Sequence, residues 1–119
     1  MSPTFWIRAG AAMMFLAVAL GAFGAHALKN VLTEDLKAIY ETGVRYQAYH
    51  SLALFLVAWL AREQPSKAVN AAGWCFFIGI YFFSGSLYAL SFTGVRKFGA
   101  VTPIGGLMFL AGWACLLLA

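Results

Sequence analysis

The chain has 119 residues, of which 63% are hydrophobic and 10% are charged, and its mean hydropathy is +0.82. A soluble domain of this size needs a more polar surface, so the composition predicts an integral membrane protein with a single domain over residues 1–119. The net charge of +4 comes from scattered Lys and Arg without a basic cluster, which excludes a nucleic-acid binder and is typical of anchors at lipid headgroups.

The first apolar block covers residues 5–28 and is long enough to cross a bilayer. Arg8 lies near its start, where the long side chain reaches the headgroups. Small residues recur at every fourth position (Ala17, Gly21 and Ala25), which predicts a face where another helix packs closely. A cleavable signal peptide is the alternative for this block. The length of the apolar run and the membrane segments that follow it favour a retained helix.

Residues 29–40 form a polar connection with its own signal for a helix start. Thr33 is placed to cap the exposed amides, and Glu34 and Asp35 fall in the first turn, where the helix dipole favours negative charge. The apolar residues that follow are spaced for one helix face. We therefore predict a short amphipathic helix at the membrane interface between helices one and two, which either stands alone or continues into helix two.

Helix two is strongly apolar only over residues 52–60, which is too short to cross about 30 Å of hydrocarbon. The crossing must therefore begin near residues 42–46, and this places Arg45, Gln47 and His50 below the headgroups. Ionisable groups at that depth usually face protein or water and often serve function. The segment that contains them is accordingly the main candidate for a functional site.

The third apolar block covers residues 71–92 and is rich in aromatic residues, with Ser84 and Ser86 near its middle. Serines in a membrane helix bond a backbone carbonyl or a neighbouring helix, so packing is the main interpretation and substrate contact the alternative. A fourth helix is predicted to begin with Thr102 as its cap and Pro103 at its first position, and it is just long enough to span.

Four crossings joined by short loops predict an all-α fold, an up-down four-helix bundle with both termini on one side of the membrane. The basic residues are divided almost evenly between the two sides. Their distribution gives only a slight preference for termini outside the cytoplasm.

Residues three or four positions apart share one face of a helix, and this spacing divides the polar segment of helix two into two groups. Glu41 stands four residues before Arg45, which is the favoured order for an ion pair. Tyr46, Gln47 and His50 form a polar stripe beside this pair. We expect the stripe to face protein.

His26 ends the first apolar block, and we expect the polar stripe to meet it and helix one. The main interpretation is that His26 and His50 are hydrogen-bonded core groups that hold the two helices together. A path for protons or a ligand is one alternative, because histidine titrates near neutral pH, and a bis-histidine haem or metal site is another. The metal site lacks a third ligand. We expect no metal, no cofactor and no catalytic set. The candidates for ligand binding or a polar network are His26, Glu41, Arg45, Tyr46, Gln47, His50, Ser84 and Ser86.

Four motifs of this chain resemble those of the YgdD/YwdK-like small membrane proteins, a family catalogued as a domain of unknown function. They are GAFGAHAL at residues 21–28, ETGVRYQAYH at 41–50, FSGSLY at 83–88 and TPIGG at 102–106. The similarity extends over nearly the whole chain in the same order. The resemblance implies a four-helix protein of the bacterial inner membrane, and it implies no particular activity or binding residue.

Two classes of function fit these features. The first is a non-enzymatic structural or accessory module that self-associates or joins a larger membrane complex, as the small-residue stripe and the aromatic third helix indicate. The second is a transporter or channel for an ion or small molecule, with the His, Glu and Arg side chains lining a path between helices one and two. A membrane enzyme or redox carrier ranks behind both. The expected partners are the lipid bilayer and a second copy or a larger complex.

Overall fold

A computed structural model describes all 119 residues, and every regular element is helical. In chain order the elements are α1 (Pro3–His26), α2 (Glu34–Glu63), α3 (Lys67–Thr93), a short 3-10 helix (Arg96–Ala100) and α4 (Thr102–Leu118). The all-α class predicted from the sequence is confirmed.

The first three α-helices each begin with a hydroxyl side chain that accepts a hydrogen bond from a backbone N–H three residues later. These caps are Ser2, Thr33 and Ser66, and each stabilises its helix by about 1 kcal/mol. The cap predicted at Thr33 is confirmed. The α3 helix ends at Gly94, whose φ of 70° lies in the left-handed region that glycine adopts without strain.

The start of α4 differs from the prediction. Thr102 is the first helical residue and not the cap, and Val101 precedes it with helical backbone angles and no side-chain cap. The reason is that the 3-10 helix leads directly into α4, so that the N–H of Ile104 already bonds the carbonyl of Val101 at 3.0 Å. Pro103, predicted at the first helical position, is therefore the second residue of α4 and still lies in its first turn.

The amphipathic residues predicted between helices one and two do not form a separate helix. They are the first turns of α2, which runs unbroken for 30 residues and is therefore about 45 Å long. Glu34 and Asp35 lie in its first turn, where the helix dipole favours them. The turns before Thr33 are short, and nothing interrupts the hydrogen bonding of α2 after it.

Consecutive helices run antiparallel and pack against one another in the order α1–α2–α3–α4. Between α1 and α2, for example, Gly10 lies against Ser51, and the carbonyl of Leu20 meets Tyr40. The outer helices α1 and α4 make no extended contact with each other. The molecule is therefore an open slab, 47 × 26 × 17 Å along its principal axes, and is more open than the predicted four-helix bundle.

Close approach of α3 and α4 depends on glycine. A Cβ atom on Gly105 would lie less than 3 Å from the backbone of Phe83, and one on Gly112 would lie 2.5 Å from the ring of Phe76. Side chains at these positions would force the two helices apart, because backbone cannot move aside as a flexible side chain can.

The apolar core lies at the end of the slab that carries both termini. Its largest fully buried side chains are Trp6, Leu54, Val57, Val69 and Phe76, contributed by α1, α2 and α3. Trp6 packs edge-on against Trp74 at a centroid distance of 5.3 Å. The polar residues of α2 begin where this core ends.

Three helical segments are long and apolar enough to cross a membrane: Pro3–His26, Lys67–Thr93 and Arg96–Leu118. The second helix does not meet that standard, although it is the longest. Its N-terminal half carries charged residues on successive turns, from Glu34 to Arg45, and its strongly apolar part is short. The sequence prediction of a short apolar run in helix two agrees with this finding.

Candidate functional site

The polar stripe of α2 is buried between the other helices. Gln47 is 3% exposed and His50 is 4% exposed, whereas Tyr46 at the edge of the stripe is 38% exposed. Burial at this level leaves a polar side chain without water, so each donor and acceptor needs a partner within the protein.

The amide of Gln47 joins three helices. Its Nε2 donates to the carbonyl of Met13 on α1 at 2.8 Å, and its Oε1 accepts from the hydroxyl of Tyr88 on α3 at 2.6 Å. A single side chain on α2 thus holds α1 on one side and α3 on the other. Loss of this amide would leave the phenol of Tyr88 without an acceptor, and it would remove the second hydrogen bond of the Met13 carbonyl, which keeps its helical one.

Ser84 on α3 binds the backbone of α2 on the same face of α2 as the stripe. Its Oγ donates to the carbonyl of Gly43 at 2.6 Å. A Cβ atom on Gly43 would lie 2.9 Å from the ring of Tyr88, so glycine lets α3 approach closely enough for this bond. Farther along α3, the Oγ of Ser91 bonds the carbonyl of Leu87 at 2.7 Å and reaches Leu36 on α2 at 3.3 Å.

Both ring nitrogens of His50 have partners. The indole N–H of Trp113 on α4 donates to Nε2 at 3.1 Å, and Nδ1 lies 2.8 Å from the carbonyl of Tyr46. An indole N–H only donates and a carbonyl only accepts, so these bonds assign the proton of a neutral imidazole to Nδ1. The ring also stacks on Phe109 at a centroid distance of 3.6 Å and an interplanar angle of 5°. His50 therefore ties α2 to α4.

Ser86 lies on the opposite face of α3 from the stripe and joins α3 to α4. Its Oγ donates to the carbonyl of Phe83 at 2.8 Å and shares a hydrogen bond of 2.6 Å with the hydroxyl of Thr102. The hydroxyl of Thr102, which the sequence predicted as a helix cap, thus serves a contact between helices.

Glu41 and Arg45 do not form the ion pair that their spacing predicts. Both side chains are exposed, and neither belongs to any of the three ion pairs of the chain. An exposed pair gains little when water screens its charges and the side chains must be ordered. Both residues instead line a pocket of about 300 Å³ between α1 and α2, which we call the α1/α2 pocket.

His26 does not meet the polar stripe. It is exposed at the last residue of α1 and forms no hydrogen bond with α2. Because α1 and α2 are antiparallel, Met13 is the residue of α1 that reaches Gln47, and His26 lies beyond the bond between Leu20 and Tyr40. The stripe does contact helix one as predicted, but it does so through a backbone carbonyl.

Three partners in this network were missed from the sequence: Tyr88, Ser91 and Trp113. Tyr88 and Ser91 are spaced so that they share one face of α3 with the predicted candidate Ser84, and this spacing is a signal that could have predicted the face of α3 that meets α2. Trp113 carries no comparable signal, because it lies 63 residues from His50 within an apolar run.

The helices long and apolar enough to cross a membrane, joined by buried hydrogen bonds, define a small all-helical membrane protein. The family described as "Protein of unknown function (DUF423)" matches residues 20–106. A UPF0382 membrane protein of Staphylococcus epidermidis is 49% identical over 114 residues, which cover 96% of this chain and 93% of the relative. YwdK, a UPF0382 membrane protein of Bacillus subtilis, is 45% identical over 115 residues, which cover 96% and 94%.

The chain belongs to the DUF423 family, and its curated relatives are called UPF0382 membrane proteins. This confirms the resemblance to YwdK-like proteins drawn from its motifs. A further relative, SH2409 of Staphylococcus haemolyticus, is 45% identical over 96% of this chain and 93% of its own length. No solved structure matches the chain.

Proposed function

We propose that this protein is a non-enzymatic structural module of the plasma membrane that crosses the bilayer four times and associates with a second copy of itself. The proposal rests on one observation: the polar groups of the interior are used in hydrogen bonds between helices. Gln47 binds both α1 and α3, His50 binds α4, and Ser84 binds α2. Only one buried side-chain polar atom, Nε1 of Trp6, lacks a partner. Interior groups used in this way serve packing.

The fourth crossing is supported by the position of α2 between two apolar helices. It packs antiparallel to α1 and to α3, and each of these is long and apolar enough to span. Its buried polar side chains bond to these neighbours, which removes most of the penalty for placing them in hydrocarbon. Its first turns, rich in charge, then lie at the interface as the amphipathic segment predicted from the sequence.

The surface for self-association is a groove of about 500 Å³ between α2 and α4, which we call the α2/α4 groove. Tyr46, Tyr49 and Trp113 line its walls, and Gly106 leaves room at its edge. Among the five tyrosines, only Tyr40 and Tyr88 place their hydroxyls in hydrogen bonds within the chain. A phenol without a partner is costly in hydrocarbon.

A second copy of the chain supplies hydrogen-bond partners for the hydroxyls of Tyr46 and Tyr49. A phenol hydroxyl both donates and accepts, so two identical grooves related by a two-fold axis supply partners for each other. A lipid acyl chain supplies none. The aromatic rings also contribute large apolar contact area at little entropic cost, as in other interfaces between proteins.

The test is the oligomeric state of the protein in nanodiscs, measured by native mass spectrometry and by chemical cross-linking that does not depend on disulfide formation. We expect a dimer for the parent chain and a weaker dimer, by about tenfold or more, for the double variant Tyr46→Phe with Tyr49→Phe, which keeps the rings and removes the hydroxyls. Tyr81→Phe is the matched control, because Tyr81 is an exposed phenol of α3 outside the groove. A monomeric parent chain, or equal effects of the two changes, would refute self-association through the groove.

A transporter is the second candidate, and the observation that favours it is the α1/α2 pocket with its charged wall. A path deeper into the membrane would have to pass Gln47 and His50, whose hydrogen bonds close the interior. In proteoliposomes that contain a pH-sensitive dye, we expect His50→Ala to lower thermal stability without changing proton movement. A flux carried by the parent protein and lost in this variant, with helix content intact, would favour transport over a structural role.

A further inference from the structure

The floor of the α1/α2 pocket is formed by closely packed residues of both helices. Gly21 and Gly24 of α1 face α2 there, and a Cβ atom on Gly24 would collide with the ring of Tyr40. The hydroxyl of Tyr40 donates to the carbonyl of Leu20 at 2.5 Å, which holds the ring in place. The floor is therefore ordered and its polar atoms are occupied, so that the binding chemistry of the pocket belongs to its walls.

Three charged side chains line the wall formed by α2: Lys37, Glu41 and Arg45, on successive turns. Lys37 is already held, because its Nζ pairs with Glu34 at 2.5 Å and donates to a backbone carbonyl at 3.2 Å. Glu41 and Arg45 have no charged partner, and side chains four apart on a helix have Cβ atoms about 6 Å apart. The pocket thus presents a carboxylate and a guanidinium side by side, both free to bind.

The opposite charges select the kind of ligand. A simple anion at Arg45 would be repelled by Glu41, and a simple cation at Glu41 would be repelled by Arg45. An anionic group with a hydrogen-bond donor beside it satisfies both, because the donor binds the carboxylate of Glu41. The rest of the lining is apolar and includes Leu28, Leu32 and Val44, which fits a ligand with a hydrocarbon part.

We propose that the α1/α2 pocket binds the headgroup of a phospholipid whose phosphate is followed by a hydrogen-bond donor, as in phosphatidylethanolamine or phosphatidylglycerol. Arg45 binds the phosphate, for which its planar guanidinium is well suited. Glu41 accepts from the terminal ammonium or hydroxyl group. Phosphatidylcholine is a poor ligand, because its quaternary ammonium has no N–H to donate. The proposal does not depend on self-association, since the α2/α4 groove shares no lining residue with this pocket.

The experiment is native mass spectrometry of the purified full chain in detergent, equilibrated with equal amounts of phosphatidylethanolamine, phosphatidylglycerol and phosphatidylcholine. We expect phosphatidylethanolamine and phosphatidylglycerol to be retained about tenfold more than phosphatidylcholine. Of the first two, phosphatidylethanolamine should be retained more, because an ammonium group binds the carboxylate of Glu41 more strongly than a hydroxyl group does. Arg45→Gln is expected to lower the retention of both lipids by about tenfold. The matched control is Arg8→Gln, which removes the same charge from an exposed position near the other end of α1. Equal retention in the two variants, or equal binding of phosphatidylcholine by the parent chain, would overturn the proposal.

Further variants separate the two ends of the headgroup and guard against misfolding. Glu41→Gln should abolish the preference for the ammonium lipid over phosphatidylglycerol, whereas Glu63→Gln should not. Gly21→Leu fills the pocket from α1, where a Cβ atom makes only ordinary contact with Val44 at 3.4 Å. Its helix content by circular dichroism should match the parent while lipid retention falls. Retention equal to that of the parent would contradict binding in this pocket.

A soluble compound with the same chemistry is distinguished by competition. Glycerophosphoethanolamine and glycerophosphoglycerol carry the headgroups without acyl chains. If they displace bound lipid only at about a thousandfold excess or more, the acyl chain contributes to binding and the ligand is a membrane lipid. Displacement at equal concentration would overturn the lipid assignment, and the site would belong to a water-soluble phosphodiester.

Discussion

Gln47 and Glu41 lie a short distance apart on the same helix, and their surroundings differ in almost every respect. Gln47 is 3% exposed and bonds to α1 and to α3. Glu41 is exposed, lines the α1/α2 pocket and has no charged partner. The helix is continuous through both, so the difference comes from what covers each face. Where α3 and α4 cover α2, polar groups serve cohesion; where they do not, charged groups are left available for a ligand.

The largest expected effect tests the covered face. Gln47→Ala removes an amide that is hydrogen-bonded to both α1 and α3 and leaves a small cavity, and we expect a loss of about 3 kcal/mol in the free energy of unfolding. Unfolding in micelles, followed by circular dichroism, measures the change. Gln64→Ala at the exposed end of α2 is the control and should change stability by less than about 0.5 kcal/mol. Similar values for both would mean that the amide of Gln47 does not stabilise the packing.

His50→Phe is expected to cost about 2 kcal/mol, because the indole N–H of Trp113 loses its acceptor and the carbonyl of Tyr46 loses the contact with the ring that adds to its helical hydrogen bond. The substituted ring still stacks on Phe109, so the measurement isolates hydrogen bonding. In a double-mutant cycle with Trp113→Phe, the combined change should be about 1 kcal/mol smaller than the sum of the single changes. Additive effects would show that the two side chains do not interact.

Tyr88→Phe removes one hydroxyl from the covered face and leaves Oε1 of Gln47 without its donor. We expect a loss of about 1 kcal/mol, measured as before. Tyr81→Phe is the control. That side chain is 54% exposed, and its hydroxyl forms no hydrogen bond within the chain. A larger loss in the free energy of unfolding for Tyr81→Phe than for Tyr88→Phe would contradict the view that the face of α3 toward α2 contributes more to stability than the exposed face.

The smallest effect on stability is expected in the uncovered region. In lipid-free micelles, Arg45→Gln should change the free energy of unfolding by less than about 0.5 kcal/mol, because its charge is exposed and unpaired. Added phosphatidylglycerol should then raise the melting temperature of the parent chain but not of the variant. A large loss of stability without lipid would show that Arg45 serves the fold.

The helical class and the buried face of α2 follow from local patterns. The spacing of Gln47 and His50 predicts one face, and Thr33 followed by Glu34 predicts the start of α2. The bond between the backbone of Gly43 and Ser84 also agrees with the interpretation of that serine as a packing residue.

The partners across helices could not be predicted in the same way. Which carbonyl Gln47 reaches depends on the register of α1, and the meeting of His50 with Trp113 depends on how α4 is placed by the glycines of α3 and α4. Spacing along one helix carries no information on either. The expected convergence of His26 with the stripe was wrong for the same reason, since sequence proximity to a loop does not determine depth. The ion pair of Glu41 and Arg45 was wrong because spacing allows a pair but solvent removes most of its gain.

The polarity of α2 has a consequence for biogenesis. In the proposed arrangement of four crossings, α2 is the helix without an apolar stretch long enough to leave the translocon alone, so its entry into the bilayer would be coupled to that of its neighbours. Met13 is available for Gln47 as soon as α1 has entered, whereas Tyr88 and Ser84 are synthesised later. We expect a nascent chain that ends before α3 to leave α2 accessible to protease, and a chain that includes α3 to protect it. The longest helix of the protein would then be the one that inserts only together with its neighbouring helices.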